Sequence, residues 1–142
     1  MQHMTRVRSW RWAALGLLLA GVIGALPWAV NAAGAQPAMP DGARLASWFD
    51  NGQGGRYVLQ VAHGPVLSTE EPLRGVVRSD ANCQPDELGL SHCHNVIELV
   101  NGARLLVVNN HQMARHRCLS PGEPIAVRTL DANWVEGTVY TR

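Results

Sequence analysis

There is no lysine in these 142 residues; all 12 basic side chains are arginine. That excludes Schiff-base chemistry and sites that hold phosphate with a lysine. Charge is sparse, at 16% of residues, and nearly balanced, with a formal net of +1. A nucleic-acid partner is therefore disfavoured, because such binding draws on a basic patch. The chain also lacks G-x-S-x-G, H-E-x-x-H and any phosphate-cradling glycine loop, so no enzyme activity is expected. Internal repeats and low-complexity tracts are absent as well. Cysteine is scarce, with three residues and no C-x-x-C pair, which argues against a zinc-ribbon site.

What is present begins with an export pattern. Arg6, Arg8 and Arg11 precede an apolar run over 13–26, Pro27 breaks it, and small residues gather at Ala32, Ala33, Gly34 and Ala35. Ala33-Gly34-Ala35 fits an A-x-A cleavage site, so residues 1–35 read as a signal peptide helix. Cleavage after Ala35 leaves 142 − 35 = 107 residues. The alternative is an uncleaved anchor, because the stretch 12–30 approaches the ~20 residues that span a bilayer. The expected location is periplasmic or secreted, or the inner membrane facing the periplasm if the segment is kept. Only in that last case is the membrane a partner. Three of the 12 arginines fall in this segment, leaving 9 against 11 acidic residues.

Residues 36–55 read as a flexible leader with one short helix over 42–50, capped by Asp41 and presenting Leu45, Trp48 and Phe49 on one face. The remainder, 56–142, reads as a small β-domain. Strand-like runs fall at 57–62, 73–78, 95–100, 103–108, 125–130 and 134–140, with turn residues at Asn101-Gly102, Pro121-Gly122 and 131–133 between several of them. Six short strands with no long helix between them predict a mainly β fold, an antiparallel barrel or sandwich of OB-like or SH3-like kind. Trp134 is expected to close one end of it.

The histidines suggest chemistry. Four of the six lie between positions 92 and 116. A two-residue turn at Asn101-Gly102 pairs residues whose numbers sum to 203, so that His92 faces His111. Side chains alternate along strands, which then puts His92, His94, His111 and Met113 on one face, with His116 just beyond. Imidazole and thioether ligands favour copper, with zinc as the rival. For the odd set Cys83, Cys93 and Cys118 in an oxidising compartment, one disulfide is expected. A Cys93–Cys118 bond closes a loop of about 24 residues and adds on the order of 3 kcal/mol, and Cys83 is the alternative partner for Cys93. Such a staple supports the competing expectation, a structural or protein-interaction domain of the cell envelope with an unknown protein partner. The acidic loop 80–93, with Asp80, Asp86 and Glu87, lacks the spacing of an EF-hand.

Overall fold

A computed structural model describes residues 36–68 and 71–141. Residues 1–35, expected to be a signal peptide, lie outside the described residues. The six apolar runs extend into β1 (Arg56–His63), β2 (Leu73–Pro85), β3 (Ser91–Leu99), β4 (Arg104–His111), β5 (Pro124–Thr129) and β6 (Trp134–Val139). Every neighbouring pair is antiparallel. The order β1-β4-β3-β2-β5-β6 closes on itself as a barrel. Closure leaves no sheet edge exposed. The barrel has six strands, one more than an OB barrel.

Alternation decides what faces inward. Tyr57 and Leu59 of β1, Ile97 and Leu99 of β3, Leu105 and Val107 of β4, and Ile125 and Val127 of β5 form the buried interior. Gly137 of β6 sits where a Cβ would come within 2.6 Å of Ile125 Cδ1, so the strand can approach only without a side chain there. Leu67, in the β1–β2 connection, and Leu119, in the β4–β5 crossover, are buried in this core from opposite ends.

The expected helix over 42–50 does not form; the described residues there hold one 3-10 turn, Trp48–Asp50. Gly42 takes φ 76°, which an α-helix forbids just after its cap. The apolar residues still bury as their spacing suggested, but against the outside of the barrel. Leu45 and Trp48 pack with Val58, Leu90 and Trp134, and the rings of Trp48 and Trp134 are 5.3 Å apart. Trp134 thus covers the outer wall and does not close an end. Beneath the same segment Glu136, 1% exposed, receives the backbone N–H of Arg44 at 3.2 Å and its Nε–H at 2.8 Å.

Candidate functional site

The hairpin register decides the fate of the histidines. Only Gly102 of the turn pair adopts positive φ, 83°, whereas a type I′ turn needs it at both positions. The connection is instead a three-residue loop, 100–102. It is closed by Leu99 N–H donating to Ala103 O at 2.8 Å and Gly102 N–H donating to Leu99 O at 2.9 Å. Paired residues therefore sum to 202: Ser91 faces His111, His92 faces Asn110 and Cys93 faces Asn109. A slip of one residue turns a strand's side chains to the other face.

The expected His/Met cluster is corrected accordingly. His111 is fully buried inside the barrel, and burial pushes its pKa below the ordinary histidine value. His92 points outward, with Nδ1 2.6 Å from Asn110 Oδ1 and Nε2 3.2 Å from Asp86 Oδ2. Both of its ring nitrogens are engaged. His94 lies half-buried on the outer wall, Met113 is exposed past the end of β4, and His116 lies against Gly52. His92 lines an open groove of about 790 Å³ with Gln36, Pro37 and Asp86, on the outer wall.

The acidic loop is corrected as well. β2 runs to Pro85 and β3 begins at Ser91. Asp86 serves the short turn between them, its Oδ1 accepting the N–H groups of Leu88 and Leu90, each at 2.9 Å.

What the structure does bring together is the cysteines. Asp80 and Cys83 are three residues apart, and a regular strand would send them to opposite faces. The register of β2 against β3 shifts between Ala81 and Gln84, with Asn82 at φ 56°. This β-bulge sets two residues, 82 and 83, against Cys93. Cys83 thereby joins Asp80 on the inner side and bonds to Cys93. The expected Cys93–Cys118 pairing is thus replaced by its alternative. The bond spans a sequence separation of 10 and contributes about 3 kcal/mol by loop entropy.

Cys118 is the free thiol. The crossover 112–123 passes over the barrel mouth where β4 ends and β5 begins, held by Tyr57 Oη–H donating to Arg117 O at 2.9 Å. It sets Cys118 Sγ 4.0 Å from Cys93 Sγ. Burial, and after it the carboxylate of Asp80, push the Cys118 thiol above its ordinary pKa. Cys83 Sγ is 3.5 Å from Asp80 Oδ1, which also accepts the Asn95 amide at 2.9 Å.

The ligand atoms of Asp80, Cys83, Cys93 and Cys118 all lie within 4.8 Å of one another. On the same inner wall Asn95 Oδ1, Asn109 Nδ2 and His111 Nε2 are buried without hydrogen-bond partners. Sequence reasoning named the three cysteines but placed Asp80 in a loop, because nothing in the local pattern announces the bulge. The chain matches no known family model, no curated protein and no solved structure.

Proposed function

We propose that this chain is an exported module that binds a soft or borderline metal ion through the thiolates of Cys83, Cys93 and Cys118 and the carboxylate of Asp80, once a dithiol reductant, itself oxidised to a disulfide, has taken the Cys83–Cys93 bond to two thiols. The observation that carries the reading is the convergence of those four ligand atoms within 4.8 Å. In a tetrahedral zinc site two thiolates stand roughly 3.8 Å apart and a thiolate and a carboxylate oxygen roughly 3.5 Å apart, close to the 4.0 Å between Cys93 Sγ and Cys118 Sγ and the 3.5 Å between Cys83 Sγ and Asp80 Oδ1. The Asn95 amide is a ready outer partner for the carboxylate, of the kind that orients metal ligands.

Thiolates in place of imidazoles keep copper and zinc as the candidate ions but change the ligands each would use. Zinc uses all four ligands, whereas Cu(I) is satisfied by the three thiolates and leaves Asp80 aside. Titrating the reduced chain anaerobically with each ion against a competing chelator tests this. One ion per chain is expected, with affinity falling at least about tenfold in Cys93→Ser and Cys118→Ser and unchanged in His94→Ala. Asp80→Ala weakens zinc and leaves Cu(I) unaffected. Binding that survives both cysteine substitutions would sink the reading.

The second reading is an envelope domain in which the cysteines only staple β2 to β3, and the Cys83–Cys93 bond favours it. Failure of the reduced chain to bind either ion selects that reading.

A further inference from the structure

We infer that the barrel mouth is a thiol–disulfide exchange centre, in which Cys118 attacks Cys93 and transfers the disulfide from Cys83–Cys93 to Cys93–Cys118. Three sulfurs meet there, and the free one lies 4.0 Å from Cys93 Sγ. Cys93 is the shared member because it is bonded to Cys83, brought in by the bulge, and lies 4.0 Å from Cys118, brought in by the crossover. Cys83 and Cys118 are both part-exposed, so either can be the thiol left facing the mouth.

The step balances without an outside oxidant or reductant. The Cys118 thiol gives up its proton to solvent, and its sulfur forms a bond to Cys93 Sγ as the Cys93–Cys83 bond breaks. The electron pair of that bond leaves on Cys83 Sγ, which takes up a proton. One disulfide and one thiol remain.

The two isomers differ in what they hold. In the Cys83–Cys93 form the disulfide joins neighbouring strands across the bulge, and the crossover rests on contacts such as the Tyr57 hydrogen bond to Arg117. In the Cys93–Cys118 form the crossover is clamped covalently to β3, and the free thiol moves to the bulge. Exchange belongs to the oxidised chain and metal binding to the reduced one, so either can fail while the other stands.

Trypsin reads the connectivity directly. Cys83 and Cys93 share the peptide 79–104, whereas Cys118 lies in 118–128. The oxidised chain is incubated in mildly alkaline buffer without added thiol, quenched with acid, alkylated with N-ethylmaleimide and isolated as the monomer on a non-reducing gel before digestion. The expected result is a population in which peptides 79–104 and 118–128 are joined and Cys83 carries the label, a population lost in Cys118→Ser. Cys83→Ser should close the Cys93–Cys118 bond in air and leave no thiol to alkylate. A wild-type monomer that never yields the joined peptides overturns the proposal. So does a Cys83→Ser chain that keeps two free thiols under air.

Discussion

The Asn51 side chain is fully buried and makes bonds that no strand ladder supplies. Its Oδ1 accepts the N–H of Val58 at 2.7 Å, and its Nδ2 donates to Val58 O at 2.9 Å and Asn110 O at 2.8 Å. One amide thus ties β1 to the end of β4, next to the inner wall that carries His111. Asn51→Ala would leave three backbone groups unsatisfied in a buried setting, each costing about 1–3 kcal/mol. A loss of about 3 kcal/mol or more is therefore expected in urea unfolding, and a change under about 1 kcal/mol would show that water replaces the amide. From the sequence, Asn51 is a turn residue before a glycine; its burial comes from chain segments distant in sequence, beyond the reach of local pattern.

At the scale of elements, the leader and the strands were legible to different degrees. Six strands form as expected, and β1, β5 and β6 keep close to their expected bounds, but β2 runs on to Pro85, β3 begins at Ser91 and β4 ends at His111, because the polar residues of those extensions carry no apolar alternation to mark a strand. The leader's apolar spacing was read correctly as a buried face and wrongly as a helix, because Leu45 and Trp48 find their partners on the barrel wall whatever the backbone between them does. The Arg44–Glu136 pairing anchors that segment and gives it a pH dependence. Burial alone would raise the Glu136 carboxyl, but the hydrogen bonds and charge of Arg44, with the guanidinium of Arg128 at 3.6 Å, outweigh it and hold the pKa below its ordinary 4.5. A depressed carboxyl contributes stability that is complete above the unfolded value and is lost as pH falls through the folded one. Thermal melts taken from about pH 5 down to about pH 3 should show this loss in the wild type. Glu136→Gln should be less stable at neutral pH and flatter across that window; an equally steep profile in the variant would assign the acid sensitivity to other carboxylates.

For the whole molecule, the disulfide and the proposed metal bear on the same free energy. Reducing Cys83–Cys93 removes about 3 kcal/mol of constraint, which for a domain of this size lowers Tm by on the order of 10 °C. Zinc added to the reduced chain should restore part of that loss in proportion to ln(1 + [Zn]/Kd), because an ion that binds the folded form alone stabilises it by mass action. Calorimetry on oxidised, reduced and zinc-loaded samples checks both steps. A reduced chain whose Tm is unchanged by reduction would show that the bond does not constrain the fold, and one that zinc leaves unmoved would count against the metal site.

The amino-acid sequence by itself determined the mainly β, antiparallel character of this protein, the existence of six strands and which face of most of them is apolar. These follow from alternation and turn chemistry, which act over a few residues. Its odd cysteine count allows one disulfide at most within the chain, and the structure supplies the pairing, Cys83 with Cys93. Only the tertiary structure decided the register of the β3–β4 hairpin. Leu105, Leu106, Val107 and Val108 are apolar on both faces, so their pattern accepts either register, and the register observed, with Leu105 opposite Ile97, goes with the three-residue connection 100–102. That register carried His111 inward and His92 outward. The bulge at Asn82 and the crossover over the mouth then assembled Asp80, Cys83, Cys93 and Cys118, a site built from three chain segments whose meeting no single stretch of sequence encodes.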